Sequence, residues 1–89
     1  MNIEYWLDQI KKERIRQDEK WGEQNHHPLQ WFSIIGKEYG EMCKAFNEYD
    51  LDNDFNRLED MQRETIQIAA VCVAMLQCIG RQGEKGMMP

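Results

Sequence analysis

Apolar residues recur along this chain at spacings of three and four and show no sustained alternation, which predicts helices throughout. Ile3, Trp6, Leu7 and Ile10 mark one face of a first helix over about 3–20, with Asn2 as its N-cap and Glu4 in its first turn. Beyond Ile10 the same line turns polar, continuing through Arg14, Gln17 and Trp21. A face of that kind either lines a cavity or projects into solvent. WGEQNHHP at 21–28 reads as a loop, because Gly22 breaks the helix and Pro28 suits the first position of the next. The second helix then runs to about Tyr49, with Phe32, Ile35, Tyr39, Met42 and Phe46 as a heptad-like seam. DLDND at 50–54 is a turn rich in capping residues. A third helix over about 55–79 follows, its seam traced by Leu58, Met61, Thr65, Ile68, Cys72, Met75 and Ile79. The expectation is one all-α domain of three helices over 1–80, with a flexible C-terminal tail over 81–89 that carries glycines and a final proline.

Beyond Ile66 the third helix is apolar nearly all round, since Ala70, Val73 and Ala74 lie off its main seam. Two short helices cannot cover that circumference, so a second subunit is expected to do so, in a homodimer or homotetramer with these helices central. A chain of 89 residues supports the same view, because small domains leave much of their surface wet.

Composition narrows the partners. The formal charge is -5, from 16 acids against 11 bases, with no dense basic run, so nucleic acid and anionic lipid are poor candidates. A divalent cation, or a ligand that brings one, suits the balance better. Charges spread over 2–20 argue against a signal peptide, and the near-apolar run from Ile68 to Ile79 is too short to cross a bilayer. No membrane partner is expected. Cys43, Cys72 and Cys78 lack CxxC spacing and sit in apolar helical contexts, as reduced thiols in a cytoplasmic protein would.

Candidate chemistry gathers on carboxylates. Trp31, Ile34, Glu38, Glu41 and Ala45 form a stripe flanking the seam of the second helix, while Lys37, Lys44 and Glu48 occupy its far side. Asp60, Glu64, Gln67 and Val71 make the equivalent strip on the third helix. Antiparallel pairing would bring the strips face to face, and converging acids need a cation or a proton between them. Magnesium prefers such oxygen ligands and keeps water and phosphate oxygens in its remaining positions. Other schemes fit poorly: Glu23 and His26 match ExxH but lie in a loop, and His26–His27 has no further histidine spaced for zinc. No phosphate-cradling glycine loop and no nucleophile elbow is present.

KEYGEMCKA at 37–45, the later ETIQIAAV at 64–71 and the upstream ERIRQDEKWGEQNHHPLQWFSIIGKEYGE together resemble small phage and bacterial MazG-like proteins, from about Glu13 to Ile79. These all-α nucleotide pyrophosphohydrolases carry EExxE on one helix and ExxD on a later one. The resemblance implies a magnesium-dependent cleavage of a nucleoside triphosphate to a monophosphate and pyrophosphate. Glu38, Glu41 and Glu64 match the metal-binding glutamates. Lys37 stands where the first acid of the pattern would be, and Gln67 replaces the final aspartate. A reduced cluster should hold Mg2+ less tightly and polarise the attacked phosphorus less. Gln67 keeps an amide oxygen, Asp60 one turn before Glu64 is a candidate replacement ligand, and Lys37 can approach a phosphate. Gln17, Trp21, Asn25 and His26 are candidates for base or sugar contact, an aromatic face and amides being suited to that work, with core packing the alternative for Trp21. A non-catalytic nucleotide- or metal-binding assembly module with a degenerate site is the competing function.

Overall fold

The computed structural model describes residues 2–47 and 56–84, which form three helices: α1 (Ile3–Trp21), α2 (Pro28–Asn47) and α3 (Asn56–Glu84). No strand occurs among them. Each start and stop has a local cause. The Asn2 side chain accepts from the Tyr5 N–H at 3.1 Å and so caps α1. Gly22 ends that helix at φ 73°, a left-handed angle that glycine takes without steric cost, and its N–H donates to the Asp18 carbonyl at 2.8 Å. α2 opens on a reciprocal cap. The Leu29 N–H donates to His27 Nδ1 at 3.1 Å, and the His27 N–H donates to Gln30 Oε1 at 3.2 Å. Pro28 stands between them at the first helical position, where its missing N–H is not needed.

α3 is the shared wall. α1 and α2 both pack against it and make little contact with each other. Gln17 of α1 bonds at Gln67 and the end of α1 reaches Arg81, so α1 runs parallel to α3. His26, just before α2, meets Cys78 and Gln82 near the far end of α3, so α2 runs antiparallel to it. The protein measures 52 × 27 × 23 Å, and its fully enclosed core is small: Trp31, Ala70 and Cys78, with Gln17 as the buried polar side chain among the described residues.

Two expectations need correction. α3 does not stop at Ile79 with a tail from Gly80; it continues as helix through Gly80 to Glu84. The cause is tertiary. Arg81 donates to the Gln24 carbonyl and to Asn25 Oδ1, and Gln82 donates to the His26 carbonyl at 3.0 Å, so residues past the glycine are held by the α1–α2 loop. Residues 85–89 of the expected tail, the turn at 50–54, the last residues assigned to the second helix and Phe55 lie outside the described residues. The second correction concerns α2, whose heptad-like seam is only in part its packed side. Phe32 and Tyr39 stand in solvent while Ile35, Met42 and Phe46 are half-buried, and beside the seam Trp31 is 1% exposed and Ile34 half-buried. α3 itself is long enough and, over 58–83, apolar enough to cross a bilayer by length and composition, a test that the core helix of a globule also passes.

The reciprocal cap is expected to matter most for α2. Replacing His27 with alanine removes the side-chain acceptor and should cost about 1 kcal/mol, read as a lower urea midpoint, whereas His27→Asn should retain most of the stability.

Candidate functional site

A cleft of about 640 Å³ opens between α1 and α2, with α3 as its floor. Its apolar lining comes from Trp31 and Ile34 of α2 and from Ile68, Val71 and Ala74 of α3. The polar lining comes mostly from α1 and the loop after it: Glu13, Arg14, Arg16, Gln17, Asp18, Trp21, Glu23 and His26. Gly22, Gln24, Glu38, Gln67, Gln77 and Arg81 complete the lining. The polar end of α1 therefore lines a cavity, the first of the two alternatives its sequence allowed.

Gln17 organises the α1 side of the cleft. It is 6% exposed, and its amide is satisfied on both ends. Nε2 donates to Glu13 Oε2 at 3.1 Å and to the Gln67 carbonyl at 3.3 Å, while Oε1 accepts from Arg14 Nη1 at 3.1 Å. Burying an amide without such partners would be costly. Arg14 then spans to α3, donating from Nε to Gln77 Oε1 at 3.1 Å. Glu13 accepts a two-pronged pair from Arg16 at 2.7 Å on each oxygen. That guanidinium holds the Glu13 carboxyl below its ordinary 4.5; partial burial opposes the shift, and the Gln17 amide reinforces it.

Charge in the cleft is nearly self-cancelling. Arg14 pairs with Asp18 at 2.6 Å, Arg16 with Glu13 at 2.7 Å and Arg81 with Glu23 at 3.4 Å. Glu38 is the remaining acid of the lining, exposed and without an ion-pair partner among the described residues. A bare polyanion thus meets guanidinium groups already neutralised and one extra negative charge. A ligand that carries its own cation, or that inserts a neutral ring, fits this balance better.

The aromatic groups sit at one end. His26 packs edge-to-face on Trp31, ring centres 4.9 Å apart, and the His26 carbonyl accepts from Cys78 Sγ and Gln82 Nε2. The indole Nε1 of Trp31 is buried without an acceptor among the described residues. Trp21 is 53% exposed rather than packed in the core, with the Lys20 ammonium 4.7 Å from its ring centre.

The cleft lining takes in two of the five residues expected to converge. Glu38 and Gln67 share the cleft, whereas Glu41 is exposed and Glu64 half-buried, both outside its lining. They lie about one turn further toward the α2–α3 connection on the two antiparallel helices. Asp60 is engaged locally, 3.0 Å from Arg63 Nη1. Among the described residues no group of three His, Cys, Asp or Glu side chains stands close enough to hold a metal ion. Lys37 is exposed away from the cleft, and Asn25 is occupied by Arg81 and Glu23 in the loop. Glu13, Arg14, Arg16, Asp18, Gln77 and Arg81 belong to the site although they were not singled out as site residues. Helical spacing from Gln17 points to Glu13 and Arg14, but only the packing of α3 brings in Gln77 and Arg81.

Comparison with family models, curated proteins and solved structures finds no match to this chain.

Because folding lowers the Glu13 pKa, its stabilisation is fully present above the unfolded value of 4.5 and disappears as pH falls through the depressed folded value. The stability of Glu13→Gln should therefore fall less steeply than that of the natural chain between pH 6 and pH 3, as read from denaturation midpoints.

Proposed function

We propose that this chain is a magnesium-dependent nucleotide pyrophosphohydrolase of MazG-like type, converting a nucleoside triphosphate to its monophosphate and pyrophosphate in the cytoplasm. The observation that carries the proposal is the cleft itself: an aromatic and amide end beside a carboxylate without an ion-pair partner among the described residues, with its three guanidinium groups already paired. Aromatic and amide groups suit a nucleobase. The charge balance suits a phosphate chain that arrives with magnesium bound, so the ion is best regarded as part of the substrate.

In this scheme Gln17, Trp21 and His26 bind the base and sugar. Glu38 faces the phosphates, with Glu41 and Glu64 one turn beyond. Its carboxylate is the group suited to orient an attacking water or accept its proton. A homodimer or homotetramer completes the helical bundle, in keeping with the small enclosed core of one protomer.

A non-catalytic nucleotide binder is the alternative, favoured by the dispersal of Glu38, Glu41 and Glu64 and by Gln67 in place of an acid. Purified protein incubated with a panel of nucleoside triphosphates and magnesium separates the two. Pyrophosphate release is expected with at least one nucleotide, falling by about 100-fold or more in Glu38→Gln. Saturable nucleotide binding without release identifies the binder, and neither activity nor binding refutes both.

A further inference from the structure

Arg14 fixes the orientation of two amides in the cleft. A guanidinium can only donate, so the amide atom that meets it must be oxygen. Arg14 Nε donates to Gln77 Oε1 at 3.1 Å, Nη1 to Gln17 Oε1 at 3.1 Å and Nη2 to Asp18 Oδ1 at 2.6 Å. The side chain is 13% exposed and is bonded at all three nitrogens, so it is braced from three sides.

The two amides differ in what they keep for a ligand. Gln17 gives its Nε2 donors to Glu13 and to the Gln67 carbonyl, so it has no donor left. Gln77 lines the cleft, and its Nε2 carries two N–H groups without a partner among the described residues. Turning this amide over would set its own N–H groups against the Arg14 N–H, donor against donor. Gln77 therefore holds out donors while its oxygen stays engaged.

Its neighbours indicate what those donors meet. On α3, Gln77 follows Ala74 of the apolar floor by three residues and so shares its side of the helix. The next residue, Cys78, donates from Sγ to the His26 carbonyl at 3.5 Å, and the His26 ring packs on Trp31. The Gln77 amide thus stands at the level of the aromatic end, where the base of a nucleotide would lie. A flat ring resting on that floor meets a group on the rim by its edge.

Base edges divide by the sign of such a hydrogen bond. Guanine shows O6 and N7, and uracil or thymine shows O4, all acceptors, whereas adenine and cytosine carry amino groups at the exocyclic position. Glutamine commonly reads adenine through both ends of its amide, a pairing that the Arg14 bond opposes by engaging the oxygen.

We propose that Gln77 selects the base, its N–H groups accepting the carbonyl edge of guanine, uracil or thymine and rejecting the amino edge of adenine or cytosine. Arg14 is the positioning residue that keeps the Gln77 oxygen turned away from the ligand. This selection presupposes the nucleotide site proposed above and narrows its substrates to keto bases. An amino group brought to the same place leaves donors facing donors, for a preference of about tenfold.

Calorimetry with magnesium and non-hydrolysable triphosphate analogues compares guanine with adenine and uracil with cytosine, so that ring size is constant within each pair. The keto member of each pair is expected to bind about tenfold tighter. Gln77→Glu keeps a contact for Arg14 but exchanges the donors for an acceptor, and should abolish or reverse both preferences. Arg14→Met frees the amide to turn and should bring both ratios toward one. A merely structural loss would instead weaken the two members of a pair alike and leave their ratio unmoved. Equal affinities in the natural chain, or ratios unchanged in Gln77→Glu, overturn the inference and leave the nucleotide site standing. Failure of every analogue to bind overturns both.

Discussion

Two helices of opposite direction lean on a third and scarcely on one another, and the rest of the structure depends on that constraint. Because α1 and α2 are separated across α3, a cleft must open between them, and its floor must be whatever α3 presents there. α3 presents apolar groups, Ile68, Val71 and Ala74, rimmed by Gln67, Gln77 and Arg81. A tighter three-helix bundle would bury those residues in a conventional core and leave no site. The open arrangement leaves a polar cleft and a thin core, so outer apolar faces such as that of α2 remain exposed.

The bonds that keep α1 and the loop in place are polar. Gln17 and Arg14 tie α1 to the floor through Gln67 and Gln77, and Arg81 with Gln82 ties the loop to the end of α3. Each joins groups far apart in the chain, and each sits at or beside the cleft. Residues that position the site are thus also residues that hold the fold, with Gln17 the clearest case because its buried amide makes three hydrogen bonds. The paired arginines have a second consequence. They leave the cleft close to electrically neutral with Glu38 in excess, which disfavours a bare anion and suits a cation-bearing or neutral ligand.

Much of the fold was legible from local chemistry. Asn2, Gly22 and Pro28 mark helix ends through caps, a left-handed glycine and a missing donor, all of which act within a few residues. The polar continuation of α1 through Arg14, Gln17 and Trp21 was equally visible, as was the placing of His26 and Glu38 near candidate chemistry. The reciprocal cap between His27 and Gln30 was missed because histidine is an uncommon acceptor in that role. Glu41 and Glu64 share helical strips with Glu38 and Gln67, yet periodicity fixes only which face a residue takes, not how far along that face the cleft extends.

Sequence alone determined that this chain forms helices, where the first two begin, and which residues share a face, since those follow from local caps, backbone sterics and a repeat of 3.6 residues. Only tertiary structure decided which face turns inward. On α2 the seam is split, with Phe32 and Tyr39 exposed and Ile35, Met42 and Phe46 half-buried, while Trp31 beside His26 is buried. It also decided where α3 ends, since the Arg81 and Gln82 bonds that accompany the helix beyond Gly80 reach residues more than fifty positions away. A helix carries its own periodicity within it; its packed side and its length are properties of what it touches.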